Sequence, residues 1–187
     1  ISKSLPSKLS IHSNAHALAR YAALAQEAKM VPIVEPEVLM DGSHNSESCY
    51  KITTEVLKVC YEQLYLHNVD LTGTILKPNM VTSGSLADIQ APIDEVANQT
   101  LKCLKANVPS ELAGITFLSG GQSDINSTAH LDAMNKIGGF DWKLSFSYGR
   151  ALQQAALNTW LGKKENEQAA QKALSHRALM NKNASLG

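Results

Sequence analysis

The sequence predicts an α/β fold built on a parallel sheet. Short apolar, β-branched runs alternate with longer helical patterns, and each run ends in polar or glycine residues. Strands that alternate with helices pair in parallel through helical crossovers. The order reads α-β-α-β-α-β-α-β-α, and comparable strand-end residues stand 42 positions apart from Glu35 to Lys77, 42 from Lys77 to Ser119 and 28 from Ser119 to Ser147. Four such units are half of an eight-fold β/α barrel, whose usual length is about 250 residues. A small doubly wound open sheet is the alternative, and it would need no further strands.

A helix is expected at about 13–29, before the first run at 30–39 (MVPIVEPEVL). Pro32 and Pro36 remove ladder donors there, so only the middle of this run qualifies as strand. The pattern over 47–67 puts Tyr50, Val56, Leu57, Cys60 and Leu64 near one helix face. The second run is 71–81 (LTGTILKPNMV). The helix at 92–104 opens with proline and two acids, Asp94 and Glu95, as first turns commonly do. Ile93, Val96, Ala97, Thr100, Leu101 and Leu104 form its apolar stripe. The third run, 113–121 (AGITFLSGG), precedes a weaker helix at 125–137 that Gly138 and Gly139 stop. The fourth run, 144–149 (LSFSYG), leads into an Ala/Leu-rich helix at 150–161 closed by Gly162. A charged, more exposed helix is expected at 165–181.

Composition excludes several classes. The 187 residues are 44% hydrophobic, enough for one sizeable core and too little for two comfortable domains. Seventeen basic and seventeen acidic side chains leave no net charge, which supports neither a nucleic-acid surface nor a polybasic membrane patch. Cys49, Cys60 and Cys103 are odd in number and match no zinc or disulfide spacing, so free thiols in a reducing compartment are expected. His12 and His16 share a helix spacing, but no third ligand follows, and no metal site is expected. No stretch approaches the ~20 apolar residues of a membrane span, and no secretory signal opens the chain. Ile1 is not methionine and the opening residues resemble a loop interior, so the chain is expected to be a piece of something longer.

In α/β folds the reactive groups gather at the carboxyl ends of the strands. The first run delivers Glu35 and Glu37 there, the second Lys77, the third Ser119, Gly120 and Gly121, and the fourth Ser147, Gly149 and Arg150. Lys77 lies in an apolar segment, where a lysine either snorkels outward or becomes a nucleophile toward carbonyls. Glu35 and Glu37 fall on one side of a strand, because side chains alternate. They could move protons for such a lysine, or simply form an ion pair with basic neighbours. Each of the two glycine-serine turns precedes a helix, the arrangement that binds phosphate, and Arg150 adds a forked donor.

The segments VPIVEPEVL, GTILKPNMV, GITFLSGGQS and LSFSYGRALQ, followed by the Trp-x-Gly-Lys-x-Glu-Asn stretch at 160–166, closely resemble class I fructose-bisphosphate aldolases. The match runs collinearly from about Ser13 to the end. It implies a TIM barrel, (β/α)8, in which this chain supplies the last four β/α units and the C-terminal helix of a single domain. It implies a Schiff base on Lys77, with Glu35 as the proton-transfer carboxylate and Glu37 as the neighbour that helps form and protonate the imine. Ser119, Gly120, Gly121, Ser147, Gly149 and Arg150 match the positions that hold the C1 phosphate. The implied reaction, in glycolysis and gluconeogenesis, is reversible cleavage of fructose 1,6-bisphosphate to dihydroxyacetone phosphate and glyceraldehyde 3-phosphate, with no metal or other cofactor. A phosphorylated sugar substrate, a homotetramer, cytoskeletal or scaffold partners, and a cytoplasmic location (a peroxisome-like organelle being the alternative) are also implied by the resemblance.

Two departures stand out. Family members often continue with proline and glycine after the Lys77-to-Thr82 stretch, whereas here Ser83-Gly84 follows and 85–91 diverges; a loop difference with little change in chemistry is expected. The family's aspartate and further active-site lysine, its basic residues for the second phosphate and its tail ending in tyrosine lie outside these 187 residues. A half barrel would leave two strand edges and half its interior open, so the remainder is expected in the same protein, and the fragment alone is expected to be inactive. Two further readings are a Schiff-base barrel aldolase for another phosphorylated sugar, and a non-catalytic scaffold.

Overall fold

The computed structural model describes residues 1–187. Its six α-helices and four strands alternate: α1 (Lys8–Glu27), β1 (Ile33–Val34), α2 (Ser46–Leu66), β2 (Ile75–Leu76), α3 (Ile93–Asn107), β3 (Gly114–Phe117), α4 (Asp124–Ile137), β4 (Leu144–Phe146), α5 (Arg150–Trp160) and α6 (Glu167–Ala184). No helix is long and apolar enough to cross a membrane.

Local chemistry sets most boundaries. The Asn45 side chain caps α2 by accepting from the Ser48 amide, and Ser123 caps α4 by accepting from the Asn126 amide. Gly138, at φ 64°, ends α4 in a conformation that costs other residues strain. The first helix starts earlier than the expected 13, because Ser7 accepts from the Ser10 amide and caps it. Ile11, Ala15, Ala19, Ala22 and Ala25 then form its buried stripe, and the small residues let α2 pack closely.

The strands are shorter than the apolar runs that announced them. Only two to four residues of each run enter the ladder. Proline at 32, 36 and 78 supplies no donor, so the ladder stops short of the ends of the runs. Single bonds carry the pairing a little further: the Lys77 amide donates to the Val34 carbonyl at 2.7 Å and the Ser147 amide to the Phe117 carbonyl at 3.0 Å.

All pairs are parallel, and the strand order β1-β2-β3-β4 runs with the sequence without reversal. Consecutive helices pack on one another in the same progression. Val34, Leu76, Ile115, Phe117 and Leu144 point into the core with buried helix residues such as Leu57, Leu104 and Leu131. The opposite face holds Ile33, 40% exposed, and the exposed Ser145, with no helix laid over it. A doubly wound sheet reverses its strand order and covers both faces. One-way winding with helices on a single face is the construction of a β/α barrel wall.

Candidate active site

The register fixes which strand-end residues become neighbours. Val34 pairs with Leu76 and Leu76 with Ile115, so Glu35, Lys77 and Thr116 come next, side by side on the face the helices leave open. Burial alternates through the first run: Val34, Pro36 and Val38 are buried while Ile33, Glu35 and Glu37 are exposed. The two carboxylates therefore share a face, as the sequence predicts.

Lys77 Nζ lies 3.0 Å from Glu35 Oε1, with the lysine side chain 20% exposed and the glutamate 39%. The lysine neither snorkels away nor stands alone; it is held in a partly desolvated ion pair. Glu37 stands close by, and its carboxyl is pushed above the usual range, first by burial and then by the charge of Glu35. Lys77 and Arg150 pull the other way, which places all four groups in one electrostatic neighbourhood. A Cβ on Gly120 would come within 3.8 Å of Glu37 Oε1, so the third strand's turn abuts the same carboxylate.

Ser119, Gly121 and Arg150 converge on a cleft of about 390 Å³ between the β3–α4 and β4–α5 turns. Gly120 and Gly121 have φ of 60° and 93°, a conformation few other residues accept, and it aims the turn at α4's first residues. Ser147, Gly149 and Gly120 form the turns without lining this cleft. A larger hollow of about 560 Å³ lies between α1 and the first strand, rimmed by Glu35 and Glu37. Its walls, including Leu5, Ile11, Leu18 and Val38, carry no cation, so it is poorly suited to a phosphorylated ligand.

Two supporting residues escape the sequence reading. Asn79 is 6% exposed; its side-chain oxygen accepts from the Val38 amide at 3.0 Å and its amide donates to Thr53 Oγ1 and the Met80 carbonyl, both at 3.1 Å. It therefore staples the segment carrying Glu37 to the one carrying Lys77. A lone asparagine two residues past the lysine, inside an apolar run, was the available signal. Thr116 Oγ1 is buried without a hydrogen-bond partner beside Lys77. The three cysteines are buried free thiols, and Cys60 is pushed up to about 12 by burial.

The Ser83-Gly84 departure has a structural role. The amides of Gly84, Ser85 and Leu86 donate to the carbonyls of His44, Met40 and Gly42 at 2.8, 2.7 and 2.9 Å. A Cβ at Gly84 would run into the Gly42 carbonyl, so only glycine allows this approach.

The fold and rim can be set beside known proteins. The family model for class I fructose-bisphosphate aldolase, of the glycolytic type, matches residues 1–187. The chain belongs to the class I fructose-bisphosphate aldolase family. A probable class 1 fructose-bisphosphate aldolase of Xanthomonas axonopodis pv. citri is 53% identical over 188 residues, covering 100% of this chain and 56% of the relative. A fructose-bisphosphate aldolase of Dictyostelium discoideum is 48% identical over 187 residues, 100% of this chain and 52% of the relative. Among solved structures, the Plasmodium falciparum aldolase in complex with TRAP and a small-molecule inhibitor superposes with a TM-score of 0.94 at 45% identity, over 97% of this chain and 52% of that one. This aldolase chain spans about half the length of the curated relatives it matches. Aldolases are TIM-barrel enzymes, and the one-way, one-faced winding described above is what such a barrel requires of each of its units.

Proposed function

We propose that the protein carrying this chain is a class I fructose-bisphosphate aldolase that cleaves fructose 1,6-bisphosphate reversibly through a Schiff base on Lys77. The observation that carries the reading is the Lys77–Glu35 pair at 3.0 Å, standing on the same rim as the Ser119, Gly121 and Arg150 cleft. The four β/α units are the last four of a single eight-unit barrel, whose remaining strands close both sheet edges.

In this mechanism Glu35 withdraws a proton from Lys77, and the amine nitrogen attacks the C2 ketone of the sugar. Glu37, whose carboxyl holds its proton above the usual range, protonates the carbinolamine hydroxyl, which leaves as water. The iminium then draws the electron pair of the C3–C4 bond as the Glu37 carboxylate, left by the previous step, takes the proton of the C4 hydroxyl. Glyceraldehyde 3-phosphate departs, the enamine takes a proton at C3, and water releases dihydroxyacetone phosphate and restores Lys77. Polarisation comes from the protonated imine, so the reaction needs no metal. Ser119, Gly120, Gly121, Ser147, Gly149 and Arg150 hold the C1 phosphate, with backbone amides at the helix starts and the Arg150 fork as donors. The fold of each turn supports the direct contacts, and the cleft lined by Ser119, Gly121 and Arg150 supplies the space.

A homotetramer, a cytoplasmic location and a secondary scaffold role accompany this reading. The scaffold role draws support from the TRAP complex of the Plasmodium aldolase, and the location from the cytosolic aldolases of Arabidopsis thaliana at 50% and 51% identity. A cleavage assay on the full-length protein tests the activity. Turnover of fructose 1,6-bisphosphate should survive a metal chelator and fall at least about a thousandfold in Lys77→Arg. Chelator-sensitive turnover, or full activity in the arginine variant, would refute the mechanism.

A further inference from the structure

α6 packs on α4 and α5, and one of its side chains reaches the start of α4, next to the phosphate turns. Arg177 is only 6% exposed, an arginine in the buried stripe of α6 between Ala170 and Ala184. Its Nη2 donates to the Asp124 carbonyl at 2.7 Å, to Thr128 Oγ1 at 2.6 Å and to Asn181 Oδ1 at 3.4 Å. Its Nε stands 3.4 Å from Asp124 Oδ2 without forming a well-aligned hydrogen bond. Burying a guanidinium this completely is costly unless it is paired, and here nearly all of its partners belong to the start of α4.

That start of α4 borders the cleft. Asp124 lines it together with Ser119 and Arg150, so a carboxylate residue borders the space assigned to a phosphate. Unpaired, it would repel the ligand. The Tyr148 ring, from the turn between β4 and α5, packs at 4.2 Å on Phe146, and its hydroxyl is buried without a hydrogen-bond partner. Burial pushes the Tyr148 phenol up, while Thr128 and Arg177 are near enough to draw it back. One arginine thus fixes the first turn of α4, which the β3–α4 turn leads into, and stands beside Tyr148 of the β4–α5 turn.

We propose that Arg177 is a positioning residue for the phosphate cleft: it holds the two turns in register and balances the Asp124 carboxylate that would otherwise oppose the phosphate. The inference rests on the aldolase reading above. On this inference the C-terminal helix contributes to substrate affinity through the cleft. Arg177 touches no reacting atom, so its effect belongs to phosphate binding and leaves imine formation alone.

Two ketones separate these effects. Dihydroxyacetone phosphate uses the phosphate cleft; dihydroxyacetone itself does not. With full-length protein, the half-saturating concentration for borohydride trapping is measured for each. In Arg177→Met, the value for dihydroxyacetone phosphate should rise about tenfold while that for dihydroxyacetone stays unchanged. Arg177→Lys, which keeps the charge but not the fork, should fall between. Adding Asp124→Asn to Arg177→Met should restore much of the lost affinity, which a purely structural role would not allow. If Arg177→Met does not fold, Tyr148→Phe keeps the ring packing and should show a smaller shift of the same selectivity. Equal losses for both ketones, no loss for either, or no recovery in the double variant would overturn the proposal. A wild-type protein that traps neither ketone would instead refute the aldolase reading, and the inference with it.

Discussion

Lys77 and Glu35 are useful to each other only because neither is fully solvated. In water a single exposed pair contributes little; on this rim the carboxylate is the base nearest the amine. Glu35→Gln keeps the shape and removes the base, so imine formation should slow about 10²- to 10⁴-fold, read as the rate of borohydride trapping at saturating ketone. Glu37 differs, since burial and then Glu35 hold its proton above the ordinary carboxylate range. Its acid form is present below that raised value and is lost as pH rises through it. The alkaline limb of the kcat profile should therefore flatten in Glu37→Gln, along with most of the activity. An unchanged profile would remove Glu37 from the acid role. The residue types and their positions were legible in the sequence, because period-two alternation puts 35 and 37 on one face. The Lys77–Glu35 contact was not, because it depends on register between strands 42 positions apart.

At the scale of elements, the short strands owe their precision to side chains just beyond their ends. Asn79 ties the ends of β1 and β2 together. Asn79→Ala would leave the buried Val38 amide unpaired and take one partner from Thr53, and should cost about 1–3 kcal/mol in denaturant unfolding. Gly84→Ala should also destabilise, since its clash is with backbone at Gly42 and no side chain can yield. α4 carries a pH dependence of its own. His130 is buried against Gln122, 2.6 Å from its Oε1, and burial lowers it to about 4. The unfolded chain takes a proton near pH 6.5 while the folded one refuses it until about 4, so stability falls as pH drops through that window. The loss should be about 2 kcal/mol after discounting for solvent screening, and should vanish in His130→Gln. Helix positions were readable from stripes and stop signals. Helix starts were less so: the Ser7 cap acts through one serine among several, and spacing alone does not say which one accepts the amide.

Across the whole molecule, the single-faced winding of the sheet is the decisive feature, and sequence alternation alone could not separate it from a doubly wound sheet. Strand order and the bare inner face make that choice. The core closes over Cys49, Cys60 and Cys103 on the helix side. A thiol reagent should therefore label none of the three in the native protein and all three on unfolding; rapid native labelling would mean the core opens readily. The larger claim is that the open face carries Schiff-base chemistry, and one measurement addresses it directly. Full-length protein is incubated with dihydroxyacetone phosphate, reduced with borohydride, digested and mapped by mass spectrometry. The account predicts one stable adduct, on Lys77, absent from Lys77→Ala. An adduct on another lysine, or none on a folded protein, would contradict it.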